Sequence, residues 1–391
     1  MTGFLRGELT ADEAALIDRA AGFARDVVAP DAAAWERTRR QPVEALREAA
    51  ALGLAALEVP KDAGGLGHRY MLKLALCEEM SRADMAFAFS LVNTHNVAAR
   101  LAHSPAARHR EVHVPALIKA EIFGATALSE PGAGSDFSSI RTSAVRTGDG
   151  WTLNGEKGWI TNAAIADLFI TYVQTDPAAG WRGIACFLVD ARRPGFRRAD
   201  AYALSGGHAI GAGGFALEGY IAPDDDMLAP PGEAFKLAMK GVNGARVYVA
   251  AMCAGMLASS LETAVAYGAA RETFGKRLLD HQGLSWSLGD VANDLEALRG
   301  LTLAAGRLID RGEDAVMAAA HAKKFAGRVT LPRIADCIQA MGAAGLREEH
   351  GLGRHLACAK LAAYTDGSTE MMNERIGAGL IKTYGPDRLV K

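Results

Sequence analysis

Little in this 391-residue chain is present in excess, and each shortage excludes something. The five cysteines (Cys77, Cys186, Cys253, Cys337, Cys358) are scattered, with no Cys-x-x-Cys pair among them. Neither a disulfide framework nor a metal site is expected, and each cysteine reads as a buried free thiol in apolar surroundings. Charge of one sign is equally lacking: 43 Lys+Arg stand against 45 Asp+Glu, a net of -2. No long-range attraction to nucleic acid or to an anionic membrane follows from that balance, so any anionic ligand must be held by local groups. No run approaches the roughly 18 uninterrupted apolar residues of a membrane span, so no membrane insertion is expected. The opening MTGFLRGELTADEAALIDRA is acidic and amphipathic, unlike a secretory or transit peptide. What remains is a cytoplasmic enzyme or binding protein, with 50% hydrophobic residues supplying two or three cores.

The texture changes twice along the chain. Residues 1–121 read as helix: Thr10-Ala-Asp-Glu13 is a capping box, and Leu16, Ala20, Phe23, Ala24 and Val27 recur at helical spacing until Pro30 interrupts. Val59 to Gly67 is a loop by its proline and glycines, with helix resuming on either side. Over 122–232 short β-prone runs alternate with Gly, Asp and Asn turns, and Gly148-Asp-Gly150 before Trp151 predicts a hairpin. Pro223-Asp-Asp-Asp and Pro230-Pro231 mark the end of this antiparallel β domain. Residues 233–391 are again helical, in long Ala-rich segments broken near Gly275, Gly312 and Gly345, which predicts an antiparallel four-helix bundle.

Three stretches carry candidate chemistry. In Ala125 to Asp136, Gly132 and Gly134 let backbone N–H groups approach a ligand, although most such loops are simply turns. In Asn154 to Asn162, Trp159 and Thr161 fall on one face of a strand, where a ring and a hydroxyl suit a flat ligand; a core Trp with a satisfied Thr fits equally well. In Arg271 to Gln282, Arg271 is placed to meet a phosphate, or is a solvated basic helix end.

Taken together, the Ser129-Glu-Pro131 loop, the Lys157-Gly-Trp-Ile-Thr-Asn162 strand and the Arg271–Gly275 turn, on a helix–β–helix plan, resemble the acyl-CoA dehydrogenases from about residue 10 to 382. That resemblance implies FAD, a homo-dimer or homotetramer, an acyl-CoA thioester as substrate, and an electron-transferring flavoprotein as acceptor. It implies that Leu128 and Ser129 meet the flavin ring, with Trp159 and Thr161 beside it, and that Gly134 and Ser135 lie near cofactor and pantetheine. Arg271, Thr273, Phe274 and Gln282 then reach a partner subunit's FAD, Gln339 and Gly342 lie near its pyrophosphate, and Ser368 and Glu370 complete the cofactor set. Arg246 and Gly367 fall on the substrate side.

The catalytic base is the informative departure. Where the family usually carries a glutamate before Gly-Thr, this chain reads Tyr364-Thr-Asp-Gly-Ser-Thr-Glu370, which makes Asp366 the base. The family's other base position, just before an arginine, holds Ala245 ahead of Arg246. Read without the resemblance, Asp366 would be an N-cap of the last helix, with Gly367 stopping the one before. Removing a proton from Cα requires a carboxylate and a polarised thioester carbonyl, and the resemblance implies that the Asp366 N–H helps polarise it. Aspartate is shorter than glutamate by roughly 1.5 Å, a misplacement that costs about 100-fold if nothing compensates. The substitution therefore favours a branched or alicyclic acyl group. Ala203 to Phe215 departs again, its glycines predicting an irregular, mobile segment where the family has a G-x-R-x-S/T pattern; it puts the usual contacts to CoA in doubt and leaves room for a carrier-protein thioester. His95 reads as a surface or core-satisfied histidine rather than a pocket-floor group. Two competing readings keep the scaffold: a flavin-dependent monooxygenase or oxidase, and an acyl-thioester-binding protein without turnover.

Overall fold

The computed structural model describes residues 5–148 and 150–385; the outer limits of the first and last expected domains, and Asp149 of the expected hairpin, lie outside them. Helix α1 (Ala11–Phe23) begins with the capping box, Glu13 N–H donating to the Thr10 hydroxyl at 3.3 Å and Thr10 N–H to the Glu13 carboxylate at 2.9 Å. Pro30 does not end the helical path. A π turn over Ala24–Val28 leads directly into α2 (Ala29–Thr38), whose first turn holds the proline. The wider turn makes room for the ring. Then come α3 (Val43–Ala51), α4 (Tyr70–Ala83), α5 (Met85–Leu101) and α6 (Val114–Ile118), with Asp84 capping α5 through Phe87 N–H at 2.8 Å.

The middle of the chain is one sheet of β1 (Gly124–Ala127), β2 (Ser143–Thr147), β3 (Gly150–Ile160), β4 (Leu168–Gln174), β5 (Ile184–Asp190), β6 (Phe196–Arg198), β7 (Gly213–Pro223) and β8 (Met227–Ala229). Its order is β6-β7-β3-β2-β4-β5-β8, with β1 added on β4. The expected hairpin is β2–β3, with Gly148 at φ 55° in its turn. The sheet is antiparallel except where β1, and a single pair from β2, run parallel to β4. Those pairings join strands separated by long connections, which a parallel arrangement requires.

The C-terminal bundle consists of α7 (Ala234–Ala270), a small hairpin of β9 (Glu272–Thr273) and β10 (Lys276–Arg277), then α8 (Gln282–Asp310), α9 (Val316–Met341), α10 (Leu352–Tyr364) and α11 (Thr369–Tyr384). Gly275 and Gly312 take positive φ at two of the breaks, where a side chain would be strained. Helix α7 is long and apolar enough to cross a membrane, yet 67% of its most apolar window is buried within the protein, where it packs on α4 and α9. A Cβ on Gly255 would run into the backbone carbonyl of Glu78, so α4 and α7 touch backbone to backbone. The buried Glu78–Arg299 pair, at 2.6 Å, ties α4 to α8 beside that crossing. All five cysteines are buried and free.

Candidate active site

Two groups of residues are candidates for the walls of a site, and the first is built around β3. Lys157, fully buried, donates to the Leu128 carbonyl at 3.1 Å and to Glu130 at 2.9 Å. Burial pushes its ammonium down to about 8, against the pull of Glu130. Glu130 also accepts the N–H groups of Arg141 and Thr142, and Gly158 N–H donates to the Ser129 carbonyl at 3.1 Å. The segment holding Leu128 and Ser129 is thus fastened to β3 from both sides. Register slips between Lys157 and Ile160, and Trp159 takes φ 60°, leaving its ring 65% exposed and 4.6 Å from that of Tyr202. Thr161 lies beyond the strand end, half-buried. The alternation expected to put Trp159 and Thr161 on one face therefore does not operate, because a bulge breaks the two-residue period. Asn162 follows at φ 63°, its buried amide bonded to Ser90, Thr94 and Gly124. Gly132 lies exposed in the turn closed by the Glu130–Ala133 bridge, and Gly134 and Ser135 lie exposed just after it.

The second wall is the junction of α10 and α11. Asp366 takes φ 55° and Gly367 φ 101°. The cap of α11 is Ser368, whose hydroxyl accepts Met371 N–H at 3.4 Å, so the capping role considered for Asp366 belongs to its neighbour two residues on. The Asp366 carbonyl accepts Arg246 Nε at 3.0 Å, and Arg246 is steadied by Asn243 at 2.7 Å. Lys323, buried on α9, donates to the Ala362 carbonyl at 2.7 Å and reaches those of Ala363 and Gly367 at 3.5 Å. Oδ2 of Asp366 is buried with no partner. Among the described residues its N–H has no acceptor either. Burial raises the carboxyl to about 6, while Lys323 and Arg246 pull it down. A carboxylate poised near neutrality beside a free N–H can take a proton and donate to a developing enolate oxygen. Lys323 escaped the sequence reading, its only signal being a lysine on an Ala-rich face with buried neighbours.

The remaining expected cofactor residues stand apart. Arg271, Thr273, Phe274 and Gln282 gather on the turn between α7 and α8, and Gln339 and Gly342 lie at the end of α9. Phe274 is 99% exposed at φ 51°, and no hydrogen bond or ring contact joins this group to Ser129, Trp159 or Asp366 among the described residues. Glu370 is also exposed, in the first turn of α11. The segment 203–215 is not loose. Gly207 and His208 N–H groups both donate to Glu36 at 3.0 Å, His208 Nδ1 pairs with the same carboxylate at 2.9 Å, and a Cβ on Gly206 would collide with Ala357. The glycines serve close packing between α2 and α10 rather than mobility.

Comparison with known proteins places this arrangement. Three family domains match in order: acyl-CoA dehydrogenase N-terminal domain over residues 10–121, middle domain over 125–219 and C-terminal domain over 232–381. An acyl-CoA dehydrogenase of Bacillus subtilis is 31% identical over 89% of this chain and 92% of its own length. The butyryl-CoA dehydrogenase of Megasphaera elsdenii superposes with a TM-score of 0.92 at 28% identity, covering 97% of this chain and 100% of that one. The FAD complex of PigA superposes at 0.89 and 26% identity, covering 97% and 99%.

Proposed function

Because the chain belongs to the acyl-CoA dehydrogenases, and is an FAD-dependent oxidoreductase acting on the CH–CH group of an acyl-CoA, we propose that Asp366 is its catalytic base. The observation that carries this is the Asp366 carboxylate: Oδ2 buried without a partner, raised to about 6, at the end of a helix held by Arg246 and Lys323. The residues on the first wall fit a flavin. A tryptophan forced outward at φ 60° offers a flat apolar face, and the Leu128–Ser129 segment beside it is held rigid by Lys157 and Glu130. Ser129, Trp159 and Thr161 hold the ring in this reading, with Gly134, Ser368 and Glu370 toward the rest of the cofactor. Arg271, Thr273, Phe274, Gln282, Gln339 and Gly342 serve a partner subunit's cofactor in a homo-oligomer, which accounts for a phenylalanine 99% exposed in strained backbone.

When bound, FAD accepts the hydride that leaves Cβ. The chain's own residues do the rest. Asp366 takes the α-proton from the opposite face, and its N–H donates to the thioester carbonyl oxygen as charge builds there. Arg246 holds the Asp366 carbonyl and so aims that N–H, while Gly367 and Ser135 flank the substrate. An electron-transferring flavoprotein is the proposed acceptor, and the cytoplasm the proposed compartment.

Anaerobic flavin bleaching by acyl-CoAs tests the assignment. Bleaching is expected in the parent and is lost by at least about 1000-fold in Asp366→Asn with FAD retained. Unchanged bleaching in that variant removes Asp366 as base. Absence of bleaching by any thioester, with reduced flavin reacting with oxygen, moves the oxidase reading forward.

A further inference from the structure

The wall next to Asp366 continues into a polar cluster that neither the base nor the flavin uses. Tyr248 follows Arg246 by two residues on α7, is buried, and lies close enough to Asp366 for that charge to bear on its phenol, which burial pushes up. Its oxygen accepts Asn96 Nδ2 at 3.4 Å, and its ring meets Phe89 edge to face at 6.0 Å. Lys73, on α4, lies over the rings of Tyr70 and Tyr248, at 4.8 and 5.7 Å from their centroids. It donates to Asn96 Oδ1 at 3.3 Å and forms a short ion pair with Glu58. Glu58 also meets His95 Nε2 at 3.1 Å, and His95 Nδ1 meets the Ala55 carbonyl at 3.1 Å.

Hydrogen-bond accounting shows what this cluster can still receive. The Ala55 carbonyl can only accept, so His95 Nδ1 donates to it. Glu58, held down to about 2 despite burial, chiefly by Lys73 and His95, is shared between those two side chains, which are 6% and 1% exposed. Asp310, whose carboxyl feels the charge of Glu58, shares Arg69 with Glu13. Around Asp366, two cations, Arg246 and Lys323, act on one carboxylate. A buried ammonium that shares its carboxylate gains from a further acceptor.

The hydrogens left over point the same way. Lys73 has one N–H beyond those given to Glu58 and Asn96, Asn96 has one beyond that given to Tyr248, and the Tyr248 O–H has no acceptor among the described residues. All three spare groups are donors. Asn96 and Glu58 are only half-buried, so the cluster is open on one side. Phe89, packed edge to face on Tyr248, gives the cluster an apolar side.

We propose that the acyl group accepted beside Asp366 is short and ends in a carboxylate, received by Lys73, Asn96 and Tyr248. This rests on the dehydrogenase reading above and names the substrate class for that site. A terminal carboxylate supplies a negative charge beside Lys73 and acceptors for all three donors at once. A plain or branched hydrocarbon end would leave the donors unpaired.

The test uses the FAD-loaded protein and chain-matched pairs: butyryl-CoA with succinyl-CoA, pentanoyl-CoA with glutaryl-CoA, hexanoyl-CoA with adipyl-CoA. Rates of anaerobic bleaching give kcat/KM for each. In at least one pair the carboxylate member is expected to exceed its partner by about 100-fold or more. Asn96→Leu and Lys73→Met are each expected to shrink that ratio at least about tenfold; two variants guard against one failing to fold. If the unsubstituted member of every pair bleaches equally well or better, or if both folded variants leave the ratio unmoved, the carboxylate assignment is overturned while the dehydrogenase stands. If no thioester bleaches the flavin, the parent reading falls and takes this one with it.

Discussion

Replacing Lys323 by methionine removes a positive charge and a hydrogen-bond donor while nearly preserving volume, and the structure says what each loss does. The ammonium serves the Ala362 carbonyl at 2.7 Å and lies 3.5 Å from those of Ala363 and Gly367. Leaving buried carbonyls without a donor costs about 1–3 kcal/mol, partly offset because a buried ammonium no longer has to be desolvated. A net loss of about 1–2 kcal/mol is expected in denaturant unfolding. The electrostatic consequence is more specific. Burial raises Asp366 to about 6, and Lys323 is the first of two cations opposing that rise. Without it the carboxyl climbs further. The base works as the carboxylate, so activity appears as pH rises through about 6 in the parent and at higher pH in the variant. On that acid limb each unit of displacement costs up to about tenfold in rate, and the two enzymes converge in base. Stability moves in the opposite sense. A folded carboxyl that binds its proton more tightly than the unfolded chain stabilises at low pH, and that contribution is lost as pH rises from about 4 through 6. The measurement is the pH dependence of flavin reduction in single-turnover stopped flow. An acid limb that stays near 6 in Lys323→Met, in a folded FAD-loaded enzyme, refutes the argument and leaves Lys323 as a helix-end anchor only.

Three further outcomes are expected. Asn162→Ala removes four hydrogen bonds from a buried amide and places alanine at φ 63°, so unfolding should cost about 3 kcal/mol less; a change under about 1 kcal/mol would mean that water or repacking replaces the network. Gly255→Ala forces α4 and α7 apart at the Glu78 carbonyl and should destabilise by about 1–3 kcal/mol, visible as a lowered denaturant midpoint with an unchanged slope. Phe274→Ala should leave FAD-free stability within about 0.5 kcal/mol, because the ring is 99% exposed, yet weaken FAD retention about tenfold or more. Equal FAD affinity in the two proteins would remove Phe274 from the cofactor set.

Local patterns carried a large part of this protein. The Thr10–Glu13 capping box, the β2–β3 hairpin, the free buried cysteines and the glycine breaks of the bundle follow from interactions within a few residues, and each stands as its spacing implies. Motif order was enough to indicate the family and to single out the position of Asp366. Other features depend on what happens at a distance. Pro30 reads as a helix breaker, but the π turn before it absorbs the ring. Trp159 and Thr161 read as one strand face, but a bulge turns Trp159 outward and ends the strand before Thr161. The glycines of 203–215 read as mobility, whereas Glu36, some 170 residues earlier, fastens that segment. The buried Lys73–Glu58–His95 cluster and the unpartnered Oδ2 of Asp366 belong to the same class. They arise where α4, α5, α7, α9 and α10 converge, and burial with partners from distant segments decides charge in a way that no local spacing records.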